Sequence, residues 1–413
     1  MSAGGERTGE RTVVILATLD TKAEEADHLR AEIESLGGRA VVVDLGVIGT
    51  PGTTADIGRE AVAQAGGTGL DELLENPSRE TAAPVMVVGA TKILLDLIAE
   101  GRAHAVLGVG GTQGTSSCTA VMRALPYGFP KLMVSTVASG DTAPFVGIKD
   151  IAMMFSVSDL LGVNRLTGAI LSNAAAAAYG MSLRGAPVES GAGERPLIAM
   201  TNLGVLTAGA TLAVELFREA GYEVVVFHAV GSGGRAMEQL MKEGIVGAVF
   251  DYALGEIADD VFGGLRAGGA ERLTVAGRLG LPQVIVPGGA EHLGLFVEED
   301  TVPDEWADHA HVFHSPVIFV PRLRGGELVR VARSICERLG DAAGSAVMML
   351  PLGGVGRYSV AGGPLHDPEA DRVFFDALRD GLPDAIRLVE VEAGAEDPAF
   401  VRACVDELLA MLE

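Results

Sequence analysis

The sequence predicts an α/β fold, built as two Rossmann-like doubly wound parallel-sheet subdomains facing a central cleft. Three observations predict it. Apolar runs of strand type, such as TVVILA at 12–17 and AVLGV at 105–109, are continuous rather than alternating, as strands covered on both faces require. Such runs break into glycine-rich or hydroxyl-rich stretches that lead into helix-compatible segments. The opening order of strand, loop, helix, glycine and strand then recurs from residue 196.

The first strand, 12–17, ends in Thr18, Leu19, Asp20, Thr21 and Lys22, and a helix over 23–36 closes at Gly37 and Gly38. A second strand at 40–44 completes a βαβ unit. Residues 46–80 read as a looser segment, punctuated by Gly49, Pro51, Gly52 and the Asn76-Pro77 pair. A helix over 85–100 precedes the strand at 105–109, which breaks into Gly110, Gly111, Thr112, Gln113, Gly114 and Thr115 before a helix-compatible stretch at 116–125. The strand at 131–135 exits through Thr136, Ser139, Gly140 and Asp141. A short strand at 151–155 and a helix over 159–181, broken near Gly162, complete a first subdomain at 1–183.

Residues 184–194 (RGAPVESGAGE) form a linker, and 195–413 the second subdomain. Its strands fall at 196–201, 223–227, 247–250, 283–286, 317–320 and 346–350, with closing helices at 327–339, 367–379 and 398–412. His228 opens another strand–glycine–helix junction containing Gly231, Gly233, Gly234, Arg235 and Glu238. Gly288 and Gly289 end a later strand.

A length of 413 residues suggests two domains. The net charge of −24 argues against a nucleic-acid or anionic-membrane surface, because both demand basic patches. An anionic ligand then needs locally focused donors, which singles out Lys22, one of only five lysines. Cys118, Cys336 and Cys404 lack paired spacing and read as reduced thiols of a cytoplasmic protein. Cys118 follows the key loop but has no neighbouring histidine, so packing is favoured over a nucleophilic role. The polar start at 1–12 carries no apolar signal region, and the most apolar helical segment, 169–181, is too short and alanine-rich to span a bilayer.

A strand running through glycines into a helix exposes backbone N–H groups at the positive end of the helix dipole, where phosphate or carboxylate binds. An ordinary strand-to-helix turn is the alternative for one such loop. Three first-half loops, 18–22, 110–115 and 135–141, share one sheet edge if the strands are parallel. Together they supply backbone amides, hydroxyls, Lys22 and the carboxylates Asp20 and Asp141, a set suited to a nucleoside triphosphate with Mg²⁺. The same two carboxylates can instead cap a helix and a turn. No Walker A lysine follows Gly114, while GSGGRA at 231–236 satisfies the GxGxxA spacing of a dinucleotide loop. Asp251 comes near the acidic position such a loop requires without closing a strand in the usual way. His309, His311 and His314 are either a zinc site or three histidines on a solvated loop. Arg235 and Glu238 stand at i, i+3 and can pair.

Several motifs in order carry a family resemblance: ATLDTKAEE at 17–25, the 110–115 loop, LPYGFPK at 125–131, MVSTVASGD at 133–141, GVNR at 162–165 and VFHAVGSGGRAME at 226–238. The chain resembles the Tm-one-like ATP-binding family, which comprises the N-terminal module of the tomato mosaic virus resistance protein and single-module bacterial relatives. The resemblance implies ATP bound by the N-terminal subdomain, through Thr18, Asp20, Thr21, Lys22, Gly110 to Thr115, Thr136, Ser139 and Gly140, and a homodimer. The second half departs from the family pattern, with Asn202-Leu-Gly at one loop, Ser315 after His314, and Glu396 before Asp397-Pro398.

The expected function is an ATP-dependent enzyme acting on a small carboxylate-type metabolite. Lys22, Asp141, His228 and Arg235 are the candidate catalytic groups, with Asp20 and Asp141 as metal ligands. Gly231, Gly233, Gly234, Glu238, Gly288 and Gly289 are candidate co-substrate contacts. A non-catalytic module whose dimer is stabilised by nucleotide is the alternative.

Overall fold

A computed structural model describes residues 10–75, 79–188, 191, 195–342 and 344–413. The first nine residues, the Asn76-Pro77 turn and part of the expected linker (189–190 and 192–194) lie outside the described residues. The chain divides into two compact units, Met1–Val188 and Glu189–Glu413.

Unit one runs β1 (Thr12–Ala17), α1 (Ala23–Ser35), β2 (Arg39–Asp44), α2 (Arg59–Ala65), α3 (Leu70–Glu75), α4 (Arg79–Ala99), β3 (Ala105–Gly110) and α5 (Thr112–Ala124). It ends with β4 (Lys131–Ser135), α6 (Ala143–Val146), β5 (Ala152–Phe155) and α7 (Arg165–Ser182). Its five strands are all parallel, in the order β2-β1-β3-β4-β5. Successive side chains of β1 alternate between two cores. Val13 and Ile15 pack with Leu29 and Ile33 of α1 and Leu171 of α7. Val14 and Leu16 meet Met86 of α4 and Val121 of α5 on the other face. This double burial explains the unbroken apolar run.

Unit two contributes β6 (Ile198–Asn202), α8 (Thr207–Glu219), β7 (Val224–His228), α9 (Ser232–Lys242), β8 (Ala248–Ala253), α10 (Gly255–Phe262), α11 (Val275–Leu279) and β9 (Gln283–Gly288). Next come β10 (Leu295–Phe296), α12 (Asp304–Ala307), β11 (His311–Ser315), β12 (Ile318–Pro321), α13 (Gly325–Arg338) and β13 (Ala346–Pro351). The last three elements are α14 (Pro368–Gly381), β14 (Arg387–Val391) and α15 (Pro398–Leu412). The main sheet is again all parallel, β14-β13-β9-β8-β6-β7, and β10-β12-β11 form a small antiparallel sheet. Read from each unit's own first strand, both parallel sheets begin in the spatial order second, first, third, fourth. In each the winding direction reverses between the first and third strands, the place where open α/β sheets bind ligands.

Several boundaries differ from expectation. The last helix of unit one starts at Arg165, not 159, because Asn164 and Thr167 form a reciprocal capping box. The looser segment holds α2 and α3. Helix α4 extends upstream through Pro84, and by length and mean hydropathy (1.8) its stretch Thr81–Ala99 suffices to cross a membrane, unlike 169–181. Ala82, Met86, Ala90 and Leu94 on this helix are buried, whereas Val88 and Leu95 are exposed.

Candidate functional site

Unit one carries a cavity of about 430 Å³ at the carboxyl ends of β1, β2 and β3. Thr18, Asp20, Thr21 and Lys22 wall one side, and Gly111, Thr112, Gln113 and Gly114 the other. Leu45, Val47, Ile48, Ala82 and Leu161 give it an apolar end, with Ile48 and Leu161 largely exposed at 56% and 81%.

The start of α5 defines the polar end. Gly111 is its N-cap, in extended conformation, and no side chain caps the helix. The amide of Thr115 bonds to Gly111 O at 2.8 Å, so the amides preceding it stand at the cavity wall as unfilled helix-start donors. Glycine at 110 is a packing requirement: a Cβ there would stand 2.8 Å from Gly114 Cα. At Gly111 a Cβ would meet only Thr136 Oγ1, at 3.7 Å.

Lys22 is buried, and its Nζ donates to Leu160 O at 2.8 Å and Thr21 O at 3.2 Å. Both acceptors are neutral carbonyls, and no ion-pair partner for Lys22 exists among the described residues. Its Nζ therefore stands at the cavity edge without a carboxylate partner. Asp20 is exposed beside Gly49. Asp44, which sequence reasoning passed over although it ends a buried strand, accepts the amides of Leu19 at 3.0 Å and Gly46 at 2.8 Å. Burial pushes its carboxyl above the ordinary range, against those two amides and Arg59, with Asp20 adding to the rise. Asp44 thus ties the β1 loop to the β2 loop.

The expected residues divide as follows. The 18–22 and 111–114 loops converge on this cavity, with Ser117, Ala82 and Leu161 as lining that their spacing did not signal. Thr115 is fully buried, and its hydroxyl is engaged with Ser135 Oγ at 2.7 Å, so it joins α5 to β4 instead of facing the cavity. Thr136, Ser139, Gly140 and Asp141 follow β4 on the same sheet edge but do not line the cavity. The Asp141 carboxylate accepts the amide of Ala143 at 3.0 Å, the turn-capping role.

The glycine loop of unit two is filled from within. Glu256 Oε1 accepts the amides of Gly231 and Gly234, and Glu256 Oε2 pairs with Arg272 Nε at 2.7 Å. Arg272, with no solvent exposure, also grips Asp251 through both terminal nitrogens, at 2.5 and 2.6 Å. Desolvation opposes its charge, yet Asp251 and Glu256 outweigh it and hold the guanidinium firmly protonated. Glu238 is buried and accepts the amides of Leu273 and Val275. It makes no i, i+3 pair with Arg235, whose Nε returns to Gly231 O at 3.1 Å. Gly231, Gly234 and Glu238 therefore belong to an internal ionic network. A Cβ at Gly233 would lie 1.9 Å from His228 O, and one at Gly288 2.2 Å from Tyr252 O, so these glycines serve close packing. Gly289 adopts φ +65° and donates to Val355 O. Glu256 thus occupies, at the start of α9, two amides that the pyrophosphate of a dinucleotide would use.

His311 and His314 lie on strand β11, not on a loop, and buried His309 faces the Glu327 carboxylate at 3.1 Å. Among the described residues no group of three or more His, Cys, Asp or Glu could hold a metal ion. His228 ends β7, exposed, with Nδ1 3.3 Å from Asn202 O.

A family model for the N-terminal domain of an uncharacterised protein family (UPF0261) matches residues 11–186, and the model for its C-terminal domain matches 195–412. A UPF0261 protein of Clostridium tetani (strain Massachusetts / E88) is 38% identical over 404 residues, 98% of this chain and 99% of that one. The UPF0261 protein RA0729 of Rhizobium meliloti (strain 1021) is 36% identical, covering 96% and 98% of the two chains. The ToMV resistance protein Tm-1(GCR237) of Solanum lycopersicum is 35% identical over 309 residues, 74% of this chain and 41% of that protein. With both halves matched nearly end to end, the chain belongs to the UPF0261 family.

Proposed function

We propose that the cavity of unit one binds ATP with Mg²⁺, and that the protein is an ATP-dependent enzyme acting on a small carboxylate metabolite. The observation that carries this is the contrast between two glycine-led helices: α9 has an internal carboxylate at its N-terminus, whereas α5 presents unfilled amides to a cavity. Anions bind at such a terminus through amides and dipole together. The ammonium of Lys22, bonded only to carbonyls, adds positive charge at the same edge. A flat base suits the apolar end formed by Leu45, Ile48 and Leu161. Magnesium needs few protein ligands when phosphates supply the others, and Asp20 is a cavity carboxylate placed to serve. Phosphoryl transfer relies chiefly on positioning and electrostatic stabilisation, which these groups offer. The motif resemblance to an ATP-binding family supports the reading.

The exposed apolar stripe of α4 favours a second reading, a nucleotide-stabilised homodimer without turnover. Consumption of ATP that depends on an added organic acid separates the two. The test of the site itself is a thermal-shift titration with MgATP of the natural chain, Gly111→Asp and Lys22→Met. A rise in Tm that both substitutions abolish is expected. No rise in the natural chain, or an equal rise in all three, overturns the proposal.

A further inference from the structure

Unit two has a cavity of its own, about 360 Å³, that uses none of the glycine-loop amides. It lies at the carboxyl ends of β6 and β7 and is also lined by Ile318 and Val320 of the small antiparallel sheet. Its polar lining consists of His228, Arg266, His292, His314 and Tyr358, and no Asp or Glu lines it among the described residues. In a chain of net charge −24, a wall without a single carboxylate is a selective feature.

Two of these groups are held by the protein. Arg266 makes a two-pronged pair with Asp259, at 2.8 and 2.9 Å, so it lends donors but little net charge. Its Nη1 stands 3.3 Å from His292 Nε2. Nδ1 in turn stands 3.0 Å from Oε1 of the buried Glu291. Burial raises the Glu291 pKa, but His292 and Arg322 outweigh it and keep the carboxyl below its usual range. His292 thus stands between Arg266 and Glu291 as part of the wall.

The remaining three are available. His228 uses only Nδ1, toward Asn202 O, and His314 only Nδ1, toward the Tyr358 hydroxyl at 3.4 Å. In the imidazolium form each ring donates Nδ1–H to that partner and has Nε2–H left for an anion, and the Tyr358 O–H can donate beside them, near apolar walls from Val205, Ile318 and Val320. Sites of this kind, apolar with a few convergent polar groups, take small molecules.

We infer that this cavity binds a short-chain organic acid, its carboxylate on His228, His314 and Tyr358 and its carbon skeleton against Val205, Ile318 and Val320. The use of that acid rests on the two-compound reading above, but its binding requires no nucleotide. Calorimetric titration of the full chain, free of nucleotide, with butyrate, 2-oxobutyrate, 3-hydroxybutyrate and succinate tests it. At least one acid should bind saturably, its neutral methyl ester should not, and His314→Gln and Tyr358→Phe should each weaken binding about tenfold. Circular dichroism confirms that both variants fold. Absence of binding by every acid, equal binding of the ester, or unchanged affinity in both folded variants overturns the inference. Failure here with a retained ATP shift rejects the acid site alone, whereas acid binding without an ATP shift rejects the nucleotide reading alone.

Discussion

Oε1 of Glu256 lies 2.5 Å from the amide nitrogen of Gly231, the position an anionic ligand would occupy at an open helix start. The same carboxylate neutralises part of Arg272, which is wholly buried. Glu256→Ala leaves both an arginine and two amides short of a partner, and removing one member of a buried pair costs about 3–5 kcal/mol. Urea unfolding followed by circular dichroism should show a loss of that size.

Gly111→Asp imitates this arrangement in unit one. The residue already has N-cap backbone geometry, and its Cβ direction is open. An Asp carboxylate there should cap α5 and raise the stability of the ligand-free protein by about 0.5 kcal/mol. The variant should unfold at slightly higher urea while losing the ATP shift. A variant that is destabilised and still binds ATP contradicts the geometry.

Burial pushes Glu238 up to about 7, against Arg272 and two amides and with Asp251 adding to the rise. The folded chain therefore holds this proton more tightly than the unfolded chain, whose carboxyl titrates near 4.5. Its contribution to stability is complete below 4.5 and is lost as the pH rises through 7, with a slope of at most about 1.4 kcal/mol per pH unit. The difference in unfolding free energy between the natural chain and Glu238→Gln, measured from pH 5 to 8, should shrink in the natural chain's disfavour as pH increases.

The exposed stripe of α4 includes Val88 and Leu95, while nearby Lys92 turns its ammonium to Ala65 O. An apolar stripe of this kind can pack on its own copy across a twofold axis, with the Lys92 ammonium at its margin, and an anionic bilayer repels a chain this acidic. Light scattering should give a dimer mass for the natural chain and a monomer mass for Val88→Asp/Leu95→Asp. A monomeric natural chain removes the dimer.

All three thiols are buried, and burial lifts Cys118 to about 12 and Cys336 to about 11. A thiol reagent at pH 8 should label none in the native protein and all three after unfolding. Rapid native labelling of Cys118 would restore it as a nucleophile candidate.

What was legible in the sequence was local. TVVILA and AVLGV announce doubly covered strands, and parallel strands place their following loops on one edge, so the 18–22 and 111–114 loops were found from spacing alone. What was illegible came from distant side chains. Nothing in GSGGRA reveals that Glu256, some 25 positions later, fills its amides. Thr115 looks like its neighbours, but the helical turn carries it inward to Ser135. The short strand β11 was hidden because its histidines read as solvated loop, and β14 because its alternating charges mask an edge strand.

The twin winding of the two sheets has a consequence for stoichiometry. In unit two the socket at the glycine-led helix is plugged by a side chain of the chain itself. On the proposed reading, a titration with MgATP should therefore saturate at one equivalent per chain, not two.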